Sequence, residues 1–175
     1  MEQLFLSSSP SETPRVVIGV VDTMFARYNM GKAALDELSS YKDYGKTFTV
    51  LRQTVPGFKD LAVAAKRMIE IYHAAIVVVC GMPGSANIDK QCAHEASQGI
   101  MQAQLMTSTH ILEVFVHEDE TKDPATLVAL FEQRTRDHAR NAYWLLFEPQ
   151  QLVNRAGQGI RQGFHNATPL LKEIK

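Results

Sequence analysis

Thr54-Val55-Pro56-Gly57-Phe58-Lys59-Asp60-Leu61 decides the fold, because here an apolar strand hands over to an amphipathic helix within one turn. Such a junction marks the strand-end rim of an α/β sheet, where open parallel sheets bind their ligands. Three similar junctions surround it. Val16-Val17-Ile18-Gly19-Val20-Val21 runs into Asp22-Thr23-Met24-Phe25-Ala26-Arg27, and Ala75-Ile76-Val77-Val78-Val79-Cys80 runs into Gly81-Met82-Pro83-Gly84. Ile111-Leu112-Glu113-Val114-Phe115-Val116 ends in His117-Glu118-Asp119-Glu120.

Each of these strand patterns is followed by a helical one, and each is a short, nearly continuous apolar run of the kind buried on both faces. The expected architecture is α/β: a flavodoxin-like three-layer sandwich with a four-stranded parallel sheet and helices on both faces. Right-handed crossovers leave strand order 2-1-3-4 as the simplest arrangement, with a crevice between strands one and three.

Asn29 is the N-cap of a first helix over 30–39, and the polar break Lys42-Asp43-Tyr44-Gly45-Lys46 precedes strand two, Phe48 to Thr54. Helix two carries Leu61, Ala64, Ala65, Met68 and Tyr72 at the spacing of one buried stripe. Helix three begins near Asp89, and Cys92, Ala96, Gly99 and Ala103 give it a stripe of small residues suited to core packing or to subunit contact. Asp123-Pro124 opens helix four, since Asp caps free amides and proline fits the first turn. That helix should reach Phe147, a shorter one begins at Pro149, and Gly157, Gly159, Gly163 and Pro169 make the end irregular.

A chain of 175 residues with 45% hydrophobic and 21% charged residues fits one globular domain over 15–175, preceded by a polar, flexible arm over 1–14. A net charge of -1 provides no broad basic surface, which excludes a nucleic-acid partner held by phosphate neutralisation. Cys80 and Cys92 form no CxxC pair and suit a reducing compartment, the cytoplasm. No apolar run approaches the roughly 20 residues that span a bilayer, so no membrane partner is expected. Glu2, in place of basic residues, precedes Leu4-Phe5-Leu6, which speaks against a secretory signal.

The rim segments supply the aromatic face of Phe25, backbone at Gly57, Gly81 and Gly84, and the polar groups of Thr23, Arg27, Lys59, Asp60 and His117. An aromatic face, close-approach glycines and a few charges suit a flat heterocycle with a polar tail. Gly81-Met82-Pro83-Gly84-Ser85 lacks the Gly-Lys-Ser/Thr of a P-loop, and the dinucleotide fingerprint is absent. A response regulator would place an acidic phosphoacceptor where Cys80-Gly81 stands. His94, Glu95, His117, Glu118, Asp119 and His138 could exchange protons near neutral pH, with His94 favoured by its place just after the Gly81 loop. Cys92 and His94 lie two apart on a helix and point in different directions, so no metal site is expected.

Asp22-Thr23-Met24-Phe25-Ala26-Arg27, Thr54 to Leu61, Gly81-Met82-Pro83-Gly84, Cys92-Ala93-His94-Glu95-Ala96-Ser97 and Val114 to Glu120 together closely resemble riboflavin synthase of the archaeal type, a relative of lumazine synthase. The similarity continues into Arg161-Gln162-Gly163-Phe164. The resemblance implies a homopentamer with active sites between subunits. It also implies the dismutation of two 6,7-dimethyl-8-ribityllumazine molecules into riboflavin and 5-amino-6-ribitylamino-2,4-pyrimidinedione.

By the same resemblance Phe25 lies against a substrate ring, Asp60 binds ribityl hydroxyls, and Met82 and Pro83 line the ring pocket. Thr23, Ala26, Arg27, Val55, Pro56, Gly57, Lys59, Gly81 and Gly84 complete that side. Phe115, Val116 and His117 reach in from the adjacent subunit, Arg134 and His138 belong to the substrate-binding set, and His94 and His117 are the expected proton carriers. No flavin cofactor is required, because the flavin is the product, and nothing in the residues sets a divalent-ion requirement. Lumazine synthases carry an Arg-Gly-x-Thr-x-His pattern for a phosphate-bearing substrate, where this chain reads Gly84-Ser85-Ala86-Asn87-Ile88-Asp89-Lys90. The rival readings are lumazine synthase itself and a non-catalytic flavin- or lumazine-binding protein, since one fold can host several functions.

Overall fold

A computed structural model describes residues 15–163 and 165–170. The arm expected over 1–14 lies outside the described residues, as does Phe164 of the C-terminal motif. The elements alternate as the sequence predicts: β1 (Val16–Thr23), α1 (Met30–Ser39), β2 (Phe48–Val55), α2 (Phe58–Glu70), β3 (Ala74–Gly81), α3 (Asn87–Thr107), β4 (Ile111–Phe115), α4 (Pro124–Phe147) and the single turn α5 (Gln150–Val153). All strand pairs are parallel and the order is β2-β1-β3-β4.

Alternation along the strands divides the core into two layers, because successive side chains point to opposite faces. Ile18, Val20, Ile76, Val78, Cys80 and Val114 meet α1 and α4 through Met30, Leu38, Phe131 and Ala139. Val21, Val77, Val79 and Ile111 meet α2 and α3 through Leu61, Ala65, Met68, Ala96 and Ile100. The result is the expected three-layer sandwich.

Local chemistry sets the helix starts. Asn29 accepts from the Lys32 N–H at 3.0 Å, and Asp123 accepts from the Thr126 N–H at 2.8 Å with Pro124 beginning α4. At α2 the Asp60 carboxylate accepts from the Gly57 N–H at 3.1 Å, closing the turn that makes the rim.

Three expectations need correction. Strand two is not buried on both faces: Leu51, Arg52, Gln53 and Thr54 are exposed, because β2 is an edge strand and only its ends are covered. Tyr72 is not part of the α2 stripe; the helix stops at Glu70 and Tyr72 is exposed, while Phe58 joins Leu61, Ala64, Ala65 and Met68 inside. The buried line of α3 is Ala93, Ala96, Ile100 and Ala103, one step round from the expected face, and the helix begins at Asn87. Gly99 still matters, since a Cβ there would lie 3.2 Å from the Ala62 Cβ of α2, so the two helices pack closely.

Candidate active site

The predicted residues lie around the C-terminal ends of the strands; Thr23, Ala26 and Arg27 line one cavity there and His94, Phe115, His117, Arg134 and His138 another, while the rest line neither of these two. The first, of about 400 Å³, is lined by Asp22, Thr23, Ala26, Arg27, Arg52 and Thr54 among others. Asp22 is buried, and Arg52 donates to its two oxygens at 3.1 and 2.6 Å while the Thr54 hydroxyl adds a bond of 2.9 Å. Arg52 also donates to the Asn29 side chain at 2.7 Å, which ties the floor of this cavity to the start of α1. Any Cβ at Gly31 would fall 2.5 Å from Arg52 and 2.6 Å from Asp22, so glycine is required beneath the pair. The buried Thr23 hydroxyl has no partner among the described residues.

The second cavity, of about 430 Å³, opens beside β4 between α3 and α4. His94, Phe115, His117, Arg134 and His138 line it, together with Lys90, Ala93, Ser97 and Glu113. Arg134 is buried and donates twice to Glu120 and once, at 2.9 Å, to the Phe115 carbonyl. Glu120 also accepts from the His117 N–H at 2.8 Å, so the Arg134–Glu120 pair fixes where His117 stands. Burial drives the Glu120 carboxyl up, yet the bonds from Arg134 and from the His117 N–H, with the Arg134 charge, outweigh it and hold the group below its ordinary value.

His138 Nδ1 lies 2.8 Å from the Arg134 carbonyl. A carbonyl can only accept, so Nδ1 carries the proton and Nε2 is left as an acceptor. Burial keeps this histidine below the usual imidazole range, hence neutral near pH 7. His94 is exposed, with its Nε2 3.0 Å from the Gln98 amide. It stands at the mouth, not deep in the cavity.

An aromatic row runs along the rim from Phe25, whose neighbours Met24 and Ala26 line the first cavity, to Phe115 of the second. Phe25, half-exposed, meets Phe58 edge-on at 5.2 Å, and Phe58 meets Phe115 edge-on at 5.0 Å. Gly81 lies under this row: a Cβ there would sit 2.4 Å from the Phe58 ring and 3.1 Å from the Phe115 ring. Its smallness therefore serves ring packing rather than close approach of a ligand, a correction to the sequence reading. Gly84 likewise yields its space to Asp89. Met82, Pro83, Val55 and Val116 are buried, with Met82, Val55 and Val116 inside the two core layers, so within one chain they support the rim instead of facing an opening. Pro56 and Lys59 are exposed, Lys59 paired with Glu95, and Arg27 pairs with Glu118 across the end of β3. Asp60 is half-buried and is a helix-capping group as well as a candidate acceptor.

Sequence reasoning missed Asp22, Arg52, Ser97, Glu113 and Glu120 as parts of the site. Among the described residues no helix is long and apolar enough to cross a membrane.

The family model described as 6,7-dimethyl-8-ribityllumazine synthase matches residues 15–148. The chain belongs to this family. Within it, the chain is 52% identical over 155 residues to the riboflavin synthase of Methanothermobacter thermautotrophicus, an alignment covering 89% of this chain and 99% of that protein. The riboflavin synthase of Methanothermobacter marburgensis is 51% identical and that of Archaeoglobus fulgidus 43%, with the same coverage. The family model ends at Glu148, and beyond it the Gly163 carbonyl lies 3.5 Å from Arg134 of α4.

Proposed function

We propose that the chain is a riboflavin synthase of the archaeal type, a transferase that moves a four-carbon unit between two molecules of 6,7-dimethyl-8-ribityllumazine. The observation that carries this reading is the near-complete alignment with proteins named riboflavin synthase at 52% and 51% identity. The geometry favours it over lumazine synthesis. A phosphate-bearing substrate needs a spare cation, but the fixed cations of the β4 cavity are occupied: Lys90 by Asp119 at 2.6 Å and Arg134 by Glu120. An aromatic row between two cavities instead suits two flat, uncharged ring systems.

In this reading Phe25 is the platform for one ring, Thr23, Arg27, Gly57 and Asp60 serve its ribityl chain, and Phe115, His117, Arg134 and His138 surround the second ring. His94 and His117, at the mouth of the β4 cavity, exchange protons with solvent. Holding two molecules in reacting orientation can lower a barrier by roughly 7–11 kcal/mol in favourable cases.

Assembly as a homopentamer, with the β4 cavity of one subunit completing the β1 cavity of the next, is part of the proposal. The exposed side chains of Met101, Leu105 and Met106 on α3 and Val63 on α2 form the apolar surface such a ring would cover. The reaction would run in the cytoplasm. Incubation with the lumazine as sole substrate tests the activity; lumazine production from a dihydroxybutanone phosphate and the pyrimidine would indicate the synthase, and no product under either condition a binding protein.

A further inference from the structure

The β4 cavity contains a carboxylate, Glu113, that no ion pair neutralises among the described residues. Glu113 is half-buried on the edge strand β4 and accepts a hydrogen bond of 2.9 Å from the Ser97 hydroxyl of α3, which itself lies 3.1 Å from the Ala93 carbonyl one turn back. Ser97 thus holds the carboxylate in one orientation from the opposite wall. The side chains of the other titratable groups facing it from the helices have partners, and among the described residues only the His117 ring has none: from α3, Lys90 is held by Asp119 and His94 touches Gln98; from α4, Arg134 is held by Glu120 and His138 is bonded through Nδ1 to a carbonyl. From the loop after β4, His117 is fixed through its backbone by Glu120, and on β3 the residue registered with Glu113 is the apolar Val79. No cation pairs with Glu113 among the described residues.

We propose that Glu113 is the base that takes the proton from the C7 methyl group of the lumazine in the β4 cavity, with Ser97 as its positioning residue. This inference rests on the riboflavin synthase reading. In the step, the methyl C–H bond breaks, its electron pair delocalises into the pteridine ring, and the proton forms an O–H bond on Glu113. After the four-carbon transfer the same proton returns to the nitrogen of the departing aminopyrimidine. Glu113 ends as it began, and no oxidant or reductant is consumed. His94 and His117 then connect the cavity to water rather than attack the C–H bond themselves.

The carboxyl is well suited to this. Burial pushes it above its ordinary value, and the Ser97 bond only partly offsets this. A raised carboxyl is a stronger base once ionised. Activity should therefore fall as pH drops through that raised value.

The test uses the full chain, with riboflavin formation and deuterium uptake at the C7 methyl read in parallel by fluorescence and proton NMR, above the uncatalysed rate. Glu113→Gln should lower kcat about 10²–10⁴-fold, leave KM nearly unchanged, remove the acid limb of the pH profile and suppress methyl exchange. Ser97→Ala should move that limb to higher pH, which a merely structural role would not do. Binding of riboflavin, read by its fluorescence quenching, reports whether each variant retains a formed site. Parental turnover and an unchanged acid limb in Glu113→Gln would overturn the inference while the riboflavin synthase reading stands. If Glu113→Gln loses riboflavin binding, an unmoved limb in Ser97→Ala overturns it instead. A parent that makes no riboflavin overturns both.

Discussion

Arg134 grips Glu120 in a fork, Nη1 on Oε1 at 2.7 Å and Nη2 on Oε2 at 2.6 Å, and through this grip α4 fixes the loop that carries His117. Both side chains are largely buried, at 7% and 18% exposure, so removing one leaves the other charge without compensation. Glu120→Gln or Arg134→Ala should cost about 3–5 kcal/mol by denaturant unfolding and lower kcat as His117 loses its place. The Glu120 carboxyl is lower in the folded chain than its ordinary value. Its contribution is thus complete above the ordinary value of about 4.3 and is lost as pH falls through the lowered folded value. The gap in stability between parent and Glu120→Gln should shrink as pH falls below about 4.3.

Gly81→Ala is expected to be disproportionately harmful for one methyl group. The added Cβ would overlap the Phe58 ring and crowd Phe115, and overpacking of this kind costs about 1–3 kcal/mol. The rings must shift, so the aromatic row between the cavities is broken. Thermal unfolding and kcat/KM should both fall.

Phe25→Ala and Asp60→Asn should act on binding. Phe25 is 45% exposed and touches the core only through the edge of Phe58, so its removal should raise KM more than it lowers kcat, with a stability change near 1 kcal/mol. Asp60→Asn keeps an oxygen for the Gly57 N–H and so preserves the start of α2, but it loses the charged acceptor for hydroxyls. Steady-state kinetics separate the two: KM should rise in both, and a fall confined to kcat would remove these residues from substrate binding.

Leu105→Glu tests the shared-site arrangement. Leu105 is 78% exposed on α3, so a carboxylate there costs the isolated subunit little, whereas in a subunit interface it would be buried without a partner. Light scattering should show loss of the assembly together with loss of turnover. A fully active 19.6 kDa monomer would contradict the arrangement.

What the chain disclosed in advance follows the range of the interactions. Asn29 and Asp123-Pro124 announced their helices because capping is a matter of three neighbouring residues, and the parallel sheet was legible in four apolar runs. The exposed half of β2 was not, since Val50-Leu51 becomes an edge only once the strand order is fixed. The rim residues were legible as a set, yet their aromatic row depends on Phe58 and Phe115 meeting over Gly81. Glu113 read as an ordinary charge in a strand, and its meaning comes from Ser97 on the preceding helix. Glu120 and Arg52 similarly acquire roles through Arg134 and Asp22, partners that no local pattern reveals.

The most direct measurement is the stoichiometry of the reaction with 6,7-dimethyl-8-ribityllumazine as the sole substrate. The account predicts that two lumazine molecules disappear for each riboflavin formed, with one equivalent of 5-amino-6-ribitylamino-2,4-pyrimidinedione released. No riboflavin from the lumazine alone, or lumazine accumulating from the pyrimidine and a dihydroxybutanone phosphate in its place, would contradict it.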